Sequence, residues 1–276
     1  MPELPEVETT LRGIEPYVNG KTLSRVEVRN ASLRWPIPVN DLMALTGQTI
    51  LSVERRAKYI LLHTGQACIL LHLGMSGSLR VLAPDVPAEK HDHLDLEFSD
   101  VEGNKKLIRL NDPRRFGCCL LVNEPVFEHK LLSNLGPEPL SEQFNGERLF
   151  ALSRGKTQAV KNFIMDGKTV VGVGNIYASE SLYEAGIRPS MAAKRVSRTR
   201  YLQLAEEIRT VLSKAIKAGG TTLNDFTQAD GKPGYFRHEL QVYARAGQTC
   251  HRCSGEIKSQ ILGQRNTFYC AGCQSF

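Results

Sequence analysis

The sequence predicts an α+β protein with an N-terminal helix, a β-sandwich, a helical region and a short C-terminal β-hairpin. Between residues 23 and 122, many short apolar segments alternate with turn-forming residues and have no helices between them. After residue 127, longer segments carry apolar residues at helical spacing. Four of the seven cysteines then fall between residues 250 and 273. These three observations set the fold class.

The first ten residues, MPELPEVETT, predict the start of a helix. Pro5 suits a first-turn position, and three early glutamates lie at the positive end of the helix dipole. The same segment also has a chemical interpretation. Cytosolic processing usually removes Met1 when Pro2 follows, and the resulting amine would lie beside Glu3. An α-amino group has an ordinary pKa of about 7.7–8.0, so part of it is an unprotonated nucleophile near neutral pH.

Residues 23 to 122 are predicted to form strands, arranged as a β-sandwich or a flattened barrel. Strict alternation or short buried runs mark each strand, and turn residues flank them. The predicted strands are Leu23–Arg29, Thr49–Glu54, Tyr59–Leu62, Cys68–Leu73, Ser78–Leu82, His93–Phe98, Lys106–Leu110 and Cys118–Val122.

The helical region is predicted from periodicity and from a Pro-rich link, Gly136-Pro137-Glu138-Pro139, that precedes most of it. We therefore expect three domains: residues 1–135, residues 136–238, which end in a Gly-rich stretch without clear periodicity, and residues 239–276. The predicted helices are Phe127–Leu135, Lys156–Met165, Asn175–Ala185 and Ser197–Ala218.

Composition excludes some classes of protein. No apolar run approaches the length of a membrane span, and the acidic N-terminus lacks the apolar core of a secretory signal. A cytoplasmic location is therefore expected. The net charge of +6 is compatible with a polyanionic partner, although a solvated basic surface is the commoner explanation of so mild an excess. Cys68, Cys118 and Cys119 lie in apolar runs, and no function is assigned to them.

The C-terminal cysteines form two Cys-x-x-Cys pairs with sixteen residues between them. Four thiolates at this spacing fit tetrahedral zinc, while a redox role or an iron–sulfur cluster is the alternative. A complete set of four protein ligands leaves no open position, so one structural Zn²⁺ is predicted. The ligands are Cys250, Cys253, Cys270 and Cys273.

Two loops have the composition of segments that enter a nucleic acid. One places Met75 between glycines, and the other presents Arg114, Arg115 and Phe116 in Asn-Asp-Pro-Arg-Arg-Phe-Gly. Such side chains on glycine- or proline-bounded turns fill the gap left by an extruded nucleotide. Core packing is the alternative for Met75 or Phe116 taken singly.

Further polar positions have a structural interpretation, and most of them have a functional one as well. Lys58, in Arg-Arg-Ala-Lys-Tyr, is a strand-end surface residue or a general acid or base. Asn175 follows Val-Gly-Val-Gly at a helix start, where backbone N–H groups suit an anion. Lys156, in Arg-Gly-Lys-Thr, is by itself a solvated surface lysine. His91 and His93 are surface histidines or a metal pair, and no third ligand nearby supports the metal.

Taken in order, these motifs resemble the bacterial formamidopyrimidine-DNA glycosylases, from Pro2 to Cys273. Members of this family are bifunctional repair enzymes that remove oxidised purines such as 8-oxoguanine and then cut the strand by β,δ-elimination. The resemblance implies a monomer that acts on double-stranded DNA containing oxidised purines or abasic sites. It also implies the helix–two-turns–helix architecture for the helical domain.

The resemblance implies catalytic roles for four residues. Pro2 would attack the anomeric carbon and form a Schiff base, with Glu3 handling protons and Glu6 orienting the terminus. Lys58 and Arg265 would assist the eliminations. The DNA contacts that the resemblance implies are His91, Arg114, Lys156, Met75, Phe116 and Asn175.

The sequence contains two further segments of interest and leaves two alternative functions. Residues 219–238 resemble a mobile flap over the flipped base, and the loop Ser99–Lys106 is longer than is usual in the family. A sister glycosylase for oxidised pyrimidines would share the architecture, but the Met75 loop argues against it. A catalytically inert DNA-binding module would not need Pro2 and Lys58.

Overall fold

The computed structural model describes residues 2–221 and 239–275. The described chain divides into two compact units. The first contains residues 2–133 and 218–221, and the second contains residues 134–217 and 239–275. The predicted division into three domains stays a prediction, because its second boundary falls at residue 238, outside the described residues.

The first unit begins with helix α1 (Leu4–Val18), which starts where the sequence predicts. Glu6 in the first turn accepts the N–H of Glu3 at 2.8 Å, so one of the amides that the helix start leaves unpaired is satisfied. The apolar stripe of this helix is buried against the sheets, which fixes the position of its N-terminus. The stripe consists of Leu4, Val7, Leu11, Ile14 and Val18.

Two antiparallel four-stranded sheets make up most of the first unit, in agreement with the predicted sandwich. One sheet has the order β1-β6-β7-β5 and the other the order β2-β3-β4-β8. The strands are β1 (Thr22–Val28), β2 (Ser52–Arg56), β3 (Tyr59–His63), β4 (Ala67–His72), β5 (Ser78–Leu82), β6 (Asp92–Ser99), β7 (Lys105–Asn111) and β8 (Cys118–Asn123). A short helix, α2 (Val39–Ala44), which the sequence did not predict, follows β1.

The core of the first unit is made by alternate residues of both sheets together with α1. On β6, Leu94, Leu96 and Phe98 face this core, and the intervening Asp95 points to the opposite face. There Arg109 forms a forked pair with Asp95, with both hydrogen bonds at 2.8 Å. Burial raises the pKa of Asp95, but Arg109 and Arg29 outweigh this effect and hold the pKa of that carboxyl below its ordinary value.

The second unit contains four helices and the hairpin among its described residues. The helices are α3 (Gly146–Ser153), α4 (Val160–Met165), α5 (Asn175–Glu184) and α6 (Arg198–Lys217), and the strands are β9 (Ile257–Leu262) and β10 (Arg265–Cys270). The apolar stripe of α6 is buried, as its sequence period predicts. Across residues 2–221 and 239–275, the helices lack the combined length and apolarity that a bilayer crossing requires.

One helix predicted from the sequence does not form, and another is shorter than predicted. Phe127–Leu135 was predicted as helical, but only a 3-10 turn, Val126–Glu128, forms, because His129 with a ψ of 138° leaves the helical conformation and ends it. The helix predicted from Lys156 begins only at Val160, since Ala159 pairs with Ala192 as an isolated bridge. The segment that is used for this bridge cannot also be helical.

Glu180 on α5 fixes the stretch that leads to the hairpin. Its carboxylate accepts the N–H groups of Gln241 at 2.8 Å, Val242 at 3.0 Å and Tyr243 at 2.8 Å. The side chain is almost fully buried, so these amides replace the water that it loses on folding. One carboxylate thus holds three consecutive residues against α5.

Replacing Glu180 by alanine should therefore destabilise the second unit by about 3 kcal/mol or more, because three buried amides lose their shared acceptor. Urea unfolding followed by circular dichroism measures the change. The matched control is Glu206→Ala on α6, whose carboxylate is mostly exposed and should matter by less than about 0.5 kcal/mol. Equal midpoints for the two variants would contradict the anchoring role.

Candidate active site and nucleic-acid interface

The N-terminal residues lie at a buried and tightly held helix start. Pro2 and Glu3 are buried immediately before α1. Glu6 accepts the Glu3 N–H with one carboxylate oxygen and the N–H of Thr221 with the other, both at 2.8 Å. Gly220 leaves little room here, since an added Cβ would lie 3.1 Å from the Glu6 carboxylate. The start of α1 is therefore tied to the segment that ends at residue 221.

Lys58 lies in a two-residue turn between β2 and β3. Ala57 in this turn has a φ of 55°, a left-handed conformation that is unusual for a residue other than glycine. Arg55 donates to the carbonyl of Ala57 at 2.9 Å and to Glu8 on α1 at 2.8 Å. This arginine thus holds the Lys58 turn at a fixed distance from α1, the helix that carries the N-terminal residues.

His72 is a residue of this region that the sequence analysis did not single out. Its ring lies 5.0 Å from that of Tyr59, and its Nδ1 accepts the N–H of Gly74 at 3.0 Å. Burial, followed by the charges of Lys58 and Arg34, lowers the pKa of His72 to about 4. A neutral imidazole therefore lies near Lys58 and at the base of the Met75 loop.

The side chains of the two loops remain accessible. Met75 is half-buried, while Arg114 and Phe116 are exposed, the latter by 43%. The Arg114 guanidinium lies 4.9 Å from the centre of the Phe116 ring, a cation–π arrangement. Arg115 between them has a φ of 56°, a left-handed conformation that is unusual for a residue other than glycine. His91 is half-buried.

In the second unit, a buried lysine orients Asn175. Lys161 is fully buried, and its ammonium donates to the Asn175 side-chain oxygen at 2.5 Å and to the Thr267 hydroxyl at 2.7 Å. An ammonium can only donate, so it fixes which end of the Asn175 amide faces inward. The Asn175 amide nitrogen donates to the carbonyl of Asn266 at 3.0 Å. The polarity of this amide at the start of α5 is thus set from inside.

The same contacts position the hairpin. Arg265 is exposed at the start of β10, directly before Asn266 and Thr267. The turn at Gly263 lies so near α4 that an added Cβ would be 2.7 Å from the Asn162 side chain. Lys156 is exposed in the turn after α3. Asn175 and the Arg265 strand are therefore parts of one hydrogen-bonded arrangement, whereas Lys156 lies on the surface.

Each unit holds a separate subset of the predicted site residues. Most of the predicted base-recognition segment, residues 222–238, lies outside the described residues. The first unit contains Pro2, Glu3, Lys58, Met75, His91, Arg114 and Phe116, and the second contains Lys156, Asn175, Arg265 and the four C-terminal cysteines.

The four predicted zinc ligands come together in the second unit. Their sulfur atoms all lie within 4.8 Å of one another, with Cys250 and Cys273 3.8 Å apart and Cys253 and Cys270 3.3 Å apart. Four sulfurs at about 2.3 Å from a tetrahedral zinc are about 3.8 Å apart, so this cluster fits the ion. Among residues 2–221 and 239–275, these cysteines are the one group of three or more His, Cys, Asp or Glu side chains that lie close enough together to hold a metal ion.

Family models match three segments of the chain in order. The formamidopyrimidine-DNA glycosylase N-terminal domain matches residues 1–119, its H2TH domain matches residues 135–227, and the zinc finger found in FPG and IleRS matches residues 247–275. These modules, with the zinc cluster, define a DNA glycosylase that carries a structural zinc.

Curated relatives match the chain along its whole length. Formamidopyrimidine-DNA glycosylase of Hahella chejuensis is 54% identical over 274 residues, covering 99% of this chain and 100% of the relative. The enzyme of Marinobacter nauticus is 56% identical with the same coverage. The chain belongs to the formamidopyrimidine-DNA glycosylase family.

Solved structures have the same fold. A Lactococcus lactis Fpg variant in complex with Fapy-dG-containing DNA is 33% identical, with a TM-score of 0.91 and complete coverage of both chains. Lactococcus lactis Fpg with DNA containing an abasic site gives 0.90 at 33% identity, covering 99% of this chain and 100% of that one. MutM (Fpg) from Thermus thermophilus gives 0.87 at 34% identity, covering 99% and 98%.

Zinc should be held at one ion per chain and lost on replacing a ligand. Cys253→Ser should abolish stoichiometric zinc and expose β9 and β10 to proteolysis, because the apolar cluster beneath the cysteines is small. Metal analysis after dialysis measures the zinc. Cys68→Ala is the control, since Cys68 lies in the first unit and its loss should leave the zinc bound.

His72 should stay neutral until about pH 4, against an ordinary value of 6.5. Between these values the unfolded chain binds a proton that the folded chain does not, so stability falls as the pH is lowered through this window. The loss is up to about 3 kcal/mol. His72→Asn keeps an acceptor for Gly74 without titrating, and its stability should fall less steeply. NMR titration of the ring checks the pKa, and parallel stability curves would contradict the prediction.

Proposed function

We propose that this protein excises oxidised purines, including 8-oxoguanine and formamidopyrimidines, from double-stranded DNA and then cuts the strand by β,δ-elimination. The observation that carries the proposal is the buried N-terminal segment Pro2–Glu3, which the Glu6 carboxylate fixes at the start of α1. Relatives that match the full chain are named formamidopyrimidine-DNA glycosylases, and solved relatives hold DNA with a Fapy-dG or an abasic site.

The proposed chemistry begins with the amine of Pro2. Its lone pair attacks the anomeric carbon of the extruded nucleotide, and the bond to the damaged base breaks as the base takes up a proton. Opening of the sugar gives a cationic iminium on Pro2. This Schiff base is an electron sink, so a proton is lost from the adjacent carbon and the 3′ phosphate leaves. A second elimination releases the 5′ phosphate, and hydrolysis frees the enzyme.

Other side chains have supporting roles in this proposal. Glu3 transfers protons at the sugar and base, while Lys58 and Arg265 assist the eliminations as proton donors. The turn that Arg55 ties to α1 gives Lys58 a fixed position relative to that helix, as an acid in such a step requires.

The proposed DNA contacts divide into two types. Asn175, Lys156 and Arg265 contact phosphates, and the orientation that Lys161 imposes on the Asn175 amide supports this role for Asn175. His91 also contacts the DNA. Met75, Arg114 and Phe116 fill the gap that the extruded nucleotide leaves, with Arg114 facing the orphaned base. We propose that the enzyme works as a monomer in the cytoplasm on chromosomal DNA.

Blocking the terminus tests the nucleophile. A form with a short cleavable extension before Pro2 should give no borohydride-trapped adduct with a duplex that contains 8-oxoguanine opposite cytosine. Proteolytic removal of the extension should restore an adduct that maps to Pro2, because only a free amine forms an iminium. The cleaved sample is the control for folding and zinc content. An adduct with the blocked form, or one at an internal lysine, would overturn this route.

Substrate class is tested on the same protein. Release of 8-oxoguanine should exceed release of an oxidised pyrimidine from matched duplexes, since the Met75 loop and the Arg114–Phe116 pair resemble the purine enzymes. A preference for the pyrimidine lesion would favour the sister glycosylase. Binding without release of either base would indicate a DNA-binding module.

A further inference from the structure

A fully buried carboxylate, that of Asp112, lies between the two loops that carry Met75 and Arg114. One carboxylate oxygen accepts the hydroxyl of Ser76 at 2.9 Å, and the other accepts the N–H of Gly117 at 2.7 Å. Each oxygen thus accepts a hydrogen bond from a different loop. Asp112 is 0% exposed, so both acceptor positions replace water that the group has lost.

Ser76 extends this link in the opposite direction. Its oxygen accepts the backbone N–H of Arg114 at 3.3 Å while its proton goes to Asp112. The hydroxyl has one proton to donate, so both of its bonds have a defined direction. A continuous path therefore runs from the Arg114 amide through Ser76 and Asp112 to the Gly117 amide.

The backbone of Asp112 reaches a third predicted DNA-contacting segment. Its N–H donates to the carbonyl of His91 at 3.0 Å, and its carbonyl accepts the ring N–H of His93 at 2.9 Å. His93 is buried and is used in this contact. The sequence offers no third ligand for a metal at the two histidines, and this bond gives His93 a structural role in the protein interior.

The backbones of the two loops are in close contact at Gly74 and Gly117. A Cβ added to Gly74 would lie 2.4 Å from the Gly117 nitrogen, and one added to Gly117 would lie 3.0 Å from the Asp112 carboxylate. Neither loop can therefore shift without moving the other. The side chains that these loops carry nevertheless remain accessible, while the loop backbones beneath them are held rigidly.

We infer that Asp112 and Ser76 are positioning residues that join Met75, Arg114 and Phe116 into one preassembled wedge. The inference rests on the proposed function, in which these side chains fill the gap left by an extruded nucleotide. A buried aspartate that only closes its own loop would bond within residues 112–117, whereas this one divides its oxygens between two loops. A wedge that is already ordered loses less conformational freedom on insertion than three independent side chains.

The test compares Ser76→Ala and Asp112→Asn with Ser78→Ala, a buried serine of the same segment whose backbone pairs with Asn111. Excision of 8-oxoguanine from a duplex needs the wedge, but elimination at an abasic site in a single strand does not. Each test variant should slow single-turnover excision about ten-fold and reduce the preference for cytosine over adenine opposite the lesion. Elimination on the single strand should change less than about two-fold, since no gap in a duplex has to be filled there.

Hydrogen exchange of the free enzyme separates this inference from the proposed function. Ser76→Ala should speed exchange at the amides of residues 114–117, across the loop boundary, while Ser78→Ala should not. If wild type released no oxidised purine but this coupling held, the proposed function would fall and the positioning role would stand.

Three results would overturn the inference: no change in exchange across the boundary, equal losses in both reactions, or unaltered excision by both variants. Ser76→Ala removes only one oxygen atom. Comparing its melting temperature with that of wild type tests whether the variant is folded. It therefore keeps the test decisive even where Asp112→Asn folds poorly.

Discussion

The structure depends on buried carboxylates that accept N–H groups from distant parts of the chain. Glu6 joins the start of α1 to residue 221, and Glu180 holds residues 241–243 against α5. Asp112 joins the Ser76 and Gly117 loops. A carboxylate that has lost its water is costly unless such donors replace it, so each contact tolerates little displacement. Residues proposed to act on DNA are attached to these rigid points.

The second unit applies the same principle with a positive charge. Lys161 lies inside the protein and orients the Asn175 amide, while its contact with Thr267 brings in the strand that begins at Arg265. The zinc cluster closes the base of that hairpin, and Tyr183 of α5 contacts Cys250 at 3.3 Å. The start of α5 and the Arg265 guanidinium are thus held in one arrangement, which supports the phosphate contacts proposed for them.

Most strands were predictable because period-two alternation and short buried runs are local signals. The predicted Ser78–Leu82 coincides with β5, and several other strands are displaced by only a residue or two. The failures came where tertiary contacts outweighed periodicity. Residues from Lys156 to Ala159 read as helical but supply a bridge to Ala192, and Asn145 caps a helix, α3, that has too few residues to show a clear period.

The sequence by itself determined the four-cysteine zinc site and the family, because these depend on residue type, spacing and order along the chain, and it led to the proposal for Pro2 and Glu3. It also predicted the sandwich, since alternation is written into each strand. Only the tertiary structure revealed the positions of Lys161, His72 and Asp112 beside the proposed functional side chains, and it showed which two amides Glu6 holds. Their partners lie many residues away or across a turn, and a buried charge has no local pattern that distinguishes it from a solvated one. These roles depend on which residues lie close together in the folded protein, and the order of residues along the chain does not show this.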